Sequence, residues 1–121
     1  MNAESIDMRR ALDVEDVYEW ASSQAKPGDF LIHDSVVSKA NPVLKPQDGE
    51  PTVTIRFFCA LLPGGHYVAL PLRPVPATDI PINGGHSWEW NGNEDKPTLS
   101  PSVNSIGNWH GWVRAGRMVS C

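Results

Sequence analysis

The spacing of hydrophobic positions changes along the chain and separates a helical segment from several strands. Over residues 13–25, "DVEDVYEWASSQA", Val14, Val17, Ala21 and Ala25 recur at helical spacing. An aspartate at the first position is suited to cap the helix, and the Lys-Pro-Gly-Asp run after it interrupts helical structure. The pattern therefore predicts one helix over residues 13–25.

The clearest strands lie in the middle of the chain. Residues 52–62, "TVTIRFFCALL", are rich in β-branched and aromatic side chains, which favour strands. A Pro-Gly-Gly turn follows, and residues 66–72, "HYVALPL", read as the returning strand. We therefore predict a β-hairpin over residues 52–72.

Shorter extended segments flank this hairpin. "FLIHD" at residues 30–34 predicts a strand, and the proline-containing residues 35–51 predict a long connection. The segment 86–104, "HSWEWNGNEDKPTLSPSVN", opens with a strand at 86–92 that ends in an Asn-Gly turn. Residues 108–121 predict a C-terminal hairpin with Ala-Gly at its turn.

These elements define the expected fold class. A chain of 121 residues is expected to form a single domain, 1–121. Its eleven prolines and ten glycines favour many turns and short strands. The fold class is therefore α+β and mostly β, with one N-terminal helix packed on a small antiparallel sheet or sandwich of about five to six short strands.

Charge and composition narrow the expected partners and location. The formal net charge is −4 and there is no basic block, so direct binding to nucleic acid or to an anionic membrane is not expected. No run approaches the ~20 apolar residues that span a membrane. The N-terminal stretch lacks the apolar centre of a signal peptide, and two cysteines make no disulfide framework. These features predict a cytoplasmic protein with reduced thiols.

Cysteine and histidine side chains suggest one metal hypothesis. Cys59 and His66 flank the tip of the central hairpin, and His110 and Cys121 flank the C-terminal hairpin. If the two hairpins met, these four side chains would make a tetrahedral zinc site. In the alternative interpretation, Cys59 is a small buried hydrophobic residue, His66 a turn residue and Cys121 a terminal thiol. Zinc is thus the one cofactor that the sequence suggests, and it does not require it.

Nucleophile motifs are absent from the sequence. There is no G-x-S-x-G elbow, no P-loop and no G-x-G-x-x-G. Ser100, Ser102 and Ser105 lie in a proline-bounded segment without a histidine at a fixed local spacing. Separation along the chain does not exclude a catalytic triad, but the sequence selects no catalytic residue.

Five tryptophans are many for so short a chain. Trp88 and Trp90 share a face of their strand, because side chains alternate along a strand. Core filling is the favoured interpretation, and an aromatic platform for a ligand or partner is the alternative. Trp109 is predicted to be exposed, so a candidate binding surface consists of Trp109, His110, Trp112 and His66.

The C-terminal third also shows a resemblance. "WEWNGNEDKPTLSPSVN" followed by "WHGWVRAGRM" resembles small bacteriophage and prophage proteins of the DUF6527 type, some of them labelled ammonia monooxygenase. The resemblance covers roughly residues 86–118. It departs at Trp109, where the pattern has a cysteine before the histidine that corresponds to His110.

The resemblance implies a phage accessory protein. Small size, acidity and the lack of a catalytic motif favour a non-enzymatic protein that binds a host protein and inhibits a bacterial defence system, as an anti-CRISPR does. A zinc-binding module or metal-dependent enzyme is the second hypothesis. A nucleotide binder that uses a tryptophan platform is the third. The expected partner is a host or phage protein, and an exposed edge strand would also allow a homodimer.

Overall fold

A computed structural model describes residues 4–121, and the protein is mostly β over this range. The predicted fold class, α+β with one α-helix and small sheets, is confirmed. The strands are more numerous than expected because several have only two or three residues. The helix α1 is Val17–Ser23, and a 3₁₀ turn spans Ile82–Gly85. The strands are β1 Ser5–Asp7, β2 Arg9–Arg10, β3 Asp29–Ser38, β4 Thr52–Leu61, β5 Tyr67–Pro71, β6 Glu89–Trp90, β7 Leu99–Ser100, β8 Val103–Ser105, β9 Trp109–Arg114 and β10 Arg117–Ser120.

The strands form two four-stranded sheets and a short ribbon. The outer sheet has the order β1-β10-β9-β8, and all its pairs are antiparallel. The central sheet has the order β2-β3-β4-β5, in which β2 alone runs parallel to its neighbour. Strands β6 and β7 pair with each other. Consequently β8 lies at one edge of the outer sheet, and β5 lies at one edge of the central sheet.

The main core lies between these two sheets. Alternation along each strand sends every second side chain inward, where apolar residues from both sheets meet. Phe30 and Phe58 of the central sheet stack with ring centroids 5.7 Å apart. The buried members of this core are Phe30, Phe58, Ala60, Leu62, Leu70, Leu72, Trp88, Leu99, Val103, Val113 and Met118.

The other face of the central sheet is covered by α1. Trp20 of the helix is buried against Leu31 and Cys59, and further apolar residues pack around them. The molecule is therefore layered as helix, central sheet and outer sheet. Among residues 4–121, no element covers the second face of the outer sheet, where Asn104, His110 and Arg114 are exposed.

The helix is shorter than the predicted 13–25. Asp16 rather than Asp13 is the N-cap, and its side chain accepts a hydrogen bond from the N–H of Glu19. Asp13 has a left-handed backbone with φ of 57°, which is incompatible with a helix. Val14 and Ala25 still pack on the helix-side cluster although they lie outside the helix. The apolar period therefore identified the buried face but not the helix ends.

Two predicted strand boundaries also differ. Strand β3 continues to Ser38, so the first residues of the predicted connection 35–51 belong to it. The reason is pairing, because β3 stays in register with β4 from Phe30 opposite Ala60 to Ser38 opposite Thr52. The predicted strand 86–92 is reduced to Glu89–Trp90.

The two hairpins have short turns. Strands β4 and β5 pair antiparallel from Leu61 opposite Tyr67 to Phe57 opposite Pro71. Strands β9 and β10 are joined by Ala115 and Gly116, which both have positive φ. Over residues 4–121, no helix has the length and apolar character needed to cross a membrane.

Replacing Phe58 by alanine tests the core between the sheets. Phe58 has no exposed surface and stacks on Phe30, so Phe58→Ala should lower the free energy of unfolding by about 3–5 kcal/mol. Urea unfolding would measure the change. The control is Ile106→Ala, because Ile106 is 87% exposed and its truncation should change stability by less than about 0.5 kcal/mol. Equal effects of the two substitutions would contradict the assigned core.

Candidate active site

The solvent-facing side of the outer sheet carries a group of polar side chains. Val103 lies opposite Gly111, and both are buried on the core side. Their neighbours in sequence must point the other way, because successive side chains on a strand alternate. Asn104 and His110, which lie opposite each other, are therefore both on the solvent side.

Ser102 and His110 meet on this face. The Oγ atom of Ser102 lies 3.2 Å from Nε2 of His110. Ser102 precedes β8 and is two residues from Asn104, so it is the diagonal neighbour of His110 across the strand pair. In the tautomer with its proton on Nδ1, His110 accepts the hydroxyl hydrogen of Ser102. A serine hydroxyl beside an imidazole is the arrangement that activates a nucleophile.

Buried neighbours hold Ser102 in place. The indole Nε1 of Trp88 donates a hydrogen bond to the carbonyl oxygen of Ser102, with a separation of 3.3 Å. Trp88 is only 9% exposed, and the next residue in the chain, Val103, is 2% exposed. Leu99, on the other side of Ser102, is also in the core. The hydroxyl is therefore carried by a backbone that is anchored before and after it.

The Asn-Gly loop before Ser102 is held by hydrogen bonds between its own residues. The side-chain oxygen of Asn91 accepts hydrogen bonds from the backbone N–H groups of Asn93 and Thr98. The hydroxyl of Thr98 accepts one from the N–H of Ala115, at 2.8 Å. Because Ala115 lies in the turn after β9, this loop attaches the serine segment to the histidine strand.

The backbone of His110 is held from both sides. Its carbonyl accepts a hydrogen bond from the N–H of Cys121, at 3.0 Å. The next residue is Gly111, and a side chain there would collide with the ring of Trp109 and the carbonyl of Val119. The indole of Trp109 lies in that space and donates to the hydroxyl of Ser120, at 2.9 Å.

The side chain of His110 is exposed to solvent. Trp112 lies two residues along β9 on the same face, with the guanidinium of Arg114 4.3 Å above its ring. Within residues 4–121, no carboxylate hydrogen-bonds to the His110 ring. The arrangement is thus a serine–histidine pair on an open sheet face.

The four residues of the zinc hypothesis do not converge. Cys59 is buried in the cluster beneath α1, whereas His110 lies in the outer sheet on the opposite side of the core. Cys121 follows β10 and donates its N–H to the carbonyl of His110. His66 is exposed at the tip of the central hairpin. In the described part of the chain, no group of three or more His, Cys, Asp or Glu side chains is placed to hold a metal ion.

The four residues of the predicted binding surface do not lie on one face of the protein. Trp109 is half-buried against the core rather than exposed, because it shares the core-facing side of β9 with Gly111. His110 and Trp112 lie on the solvent face, and His66 belongs to the central hairpin. Trp88 is a member of the core and Trp90 packs against the core. Both positions agree with the favoured interpretation, in which these tryptophans fill the core.

Comparison with known proteins decides the family. Residues 32–121 match the family model described as bacterial ubiquitination-like system serine protease (BubE). The chain belongs to this family. The match includes the whole segment that carries Ser102 and His110. No curated protein and no solved structure matches the chain.

Membership of the BubE family corrects the functional expectations. The matching family is not the DUF6527 phage type, so that assignment is wrong. The hypothesis of a phage protein that inhibits a host defence system is wrong for the same reason, and neither the zinc-dependent nor the nucleotide-binding alternative fits the family better. The segment used for the phage resemblance is the one that holds the serine–histidine pair.

One short stretch of the sequence relates Ser102 to His110. The residues "SIGN" at 105–108 form a tight turn in which the carbonyl of Ser105 accepts from the N–H of Asn108. That turn places Asn104 opposite His110 and so puts Ser102 diagonal to the histidine. Ser102 and His110 are therefore related by strand register and not by a linear motif.

Thiol labelling tests the placement of the two cysteines. Burial raises the pKa of Cys59 to about 11, while Cys121 is exposed. Because the thiolate is the reactive form, this rise from an ordinary pKa of 9.0 leaves ~100-fold less thiolate at about pH 8. Iodoacetamide should therefore modify Cys121 in the native protein and Cys59 only after unfolding, as read by mass spectrometry. Equal rates at both thiols before unfolding would refute this placement.

Proposed function

We propose that this chain is a serine peptidase of a bacterial ubiquitination-like system, with Ser102 as nucleophile and His110 as general base. The observation that carries the proposal is the 3.2 Å contact between Ser102 Oγ and His110 Nε2 in a chain of the BubE family. This pair provides the two groups that covalent acyl transfer requires.

The reaction follows from the position of these two side chains. Ser102 Oγ attacks the carbonyl carbon of the scissile bond while His110 Nε2 takes the hydroxyl proton. The tetrahedral intermediate expels the amine, which receives that proton from His110 and leaves an ester on Ser102. Water then attacks the ester with His110 again as the base, and the released carboxylic acid restores the serine.

The surroundings of the pair suit this chemistry. Trp88 and the buried Val103 hold the nucleophile, so little conformational freedom remains to be lost on reaction. His110 is exposed, so a leaving amine and an incoming water can both reach Nε2. An open face also accommodates a folded protein next to the scissile bond.

The proposed substrate is a peptide or isopeptide bond in a protein of the ubiquitination-like system. The family description supports this choice, because such systems join proteins through carbonyl carbons that a serine nucleophile can attack. The partner of this chain is then a protein substrate. We place the reaction in the cytoplasm, which the two free cysteines support.

A fluorophosphonate probe tests the nucleophile directly, because it reacts with activated serine hydroxyls. The unmodified protein should form one adduct, which mass spectrometry of the digest would locate at Ser102. Ser102→Ala should abolish the adduct, and His110→Ala should slow its formation by about 10³-fold or more.

The matched control is Ser100→Ala. Ser100 is exposed and two residues from Ser102, and in the range 4–121 its hydroxyl makes no hydrogen bond to His110. Its removal should leave labelling within about twofold, whereas an adduct on Ser100 would overturn the assignment. Urea unfolding of each variant would separate a lost nucleophile from a lost fold.

A further inference from the structure

Within residues 4–121, the outer edge of β8 has backbone groups with no hydrogen-bond partner beside the proposed nucleophile. Val103 and Ser105 face Gly111 and Trp109 across the ladder with β9. The carbonyl of His110 accepts from Cys121, so His110 directs its backbone groups to β10 and away from β8. In an antiparallel ladder the directions alternate, so the N–H and C=O of Asn104 point outward from the sheet.

At Ser102, the edge of β8 is not available for pairing with another strand. At Ser102 the outward carbonyl is occupied by the indole N–H of Trp88, at 3.3 Å. The free part of the edge therefore starts at Asn104, two residues after the nucleophile. A strand that paired with Asn104 would be stopped by Trp88 next to Ser102.

A groove runs along this edge. It has a volume of about 270 Å³ and lies between β8 and β5, the edge strand of the central sheet. The residues that line it include Val68, Leu70, Asn83, Trp88 and Val103. We call this space the β8–β5 groove. It is large enough for an apolar side chain from a strand added to β8.

We propose that the substrate binds as an extended peptide that adds to the open edge of β8, pairs with the backbone of Asn104 and places an apolar side chain in the β8–β5 groove. This inference rests on the proposed function. An added strand holds its carbonyl groups near the plane of the sheet. The side chains of Ser102 and Asn104 project from the same face of the outer sheet, so the last carbonyl of the added strand before Trp88 is the one nearest to Ser102 Oγ.

The short length of β8 favours a substrate over a second copy of the chain. The strand spans three residues, Val103–Ser105, and one residue has outward N–H and C=O groups. Isolated strand pairs are marginally stable, so this edge is too short to hold two copies together. A peptide substrate binds only transiently and needs few backbone hydrogen bonds, because the β8–β5 groove adds apolar contact.

The first experiment compares two substitutions at Asn104. Asn104→Pro and Asn104→Ala both remove the side chain, but only proline also removes the outward N–H. Proline is tolerated at a sheet edge when its missing N–H faces away from the partner strand. The substrate is the best-cleaved member of a library of blocked decapeptides. Asn104→Pro should lower kcat/KM at least about tenfold more than Asn104→Ala does.

A second measurement does not depend on how well the proline variant folds. Single N-methyl groups placed along the same peptide should impair cleavage by the unmodified protein most strongly at the amide that pairs with the C=O of Asn104. The neighbouring amides should be less sensitive, because backbone groups of a strand alternate between its two edges. Uniform sensitivity along the peptide would overturn strand addition.

A third measurement concerns the groove. Val68 is half-buried on β5, so Val68→Trp should narrow the β8–β5 groove. We expect one position of the cleaved peptides to prefer large apolar residues, and Val68→Trp to reduce the ratio of leucine to alanine there at least fivefold. An unchanged ratio would contradict the binding of this substrate side chain in the β8–β5 groove.

The results distinguish this inference from the function on which it rests. If the probe labels Ser102 but Asn104→Pro and Asn104→Ala cleave the peptide equally, strand addition fails and the peptidase assignment stands. If the probe does not label Ser102 in the unmodified protein, the peptidase assignment itself fails. If gel filtration shows a dimer that Asn104→Pro dissolves, the edge serves a second copy and the substrate proposal is overturned.

Discussion

The burial of Val103 against the core is the constraint on which the site depends. Val103 and Val113 fill the space between the two sheets, together with Met118. Since successive side chains on a strand alternate, this burial forces Ser102 to the solvent face. A slip of one residue between β8 and β9 would turn Ser102 into the core and separate it from His110.

Several weaker interactions keep that register. The ring of Trp109 occupies the space beside Gly111, and the hydroxyl of Thr98 ties the serine segment to the turn after β9. Trp88 contributes twice, because it fills the core and also hydrogen-bonds the carbonyl of Ser102. The segment 86–104 is thus both a structural connection and the support of the proposed nucleophile.

The position of the pair on an open sheet also has a functional consequence. Enzymes that act on small molecules usually enclose them in a concave pocket. Here Ser102 is half-buried, His110 is exposed, and the neighbouring groove lies between two strand edges. This geometry supports the proposed substrate, an extended segment of a larger polypeptide, and the family description names a ubiquitination-like system.

The sequence was sufficient for features that depend on local patterns. It placed a helix near residues 13–25 and strands on both sides of a Pro-Gly-Gly turn, because apolar period and turn chemistry act over a few residues. It was insufficient to place Cys59 relative to His110. The two residues lie on opposite sides of the core although each flanks a hairpin tip. The mostly β class thus followed from the sequence alone. The meeting of Ser102 with His110 was decided by the tertiary structure, because it depends on strand register and on which face of the outer sheet the core covers.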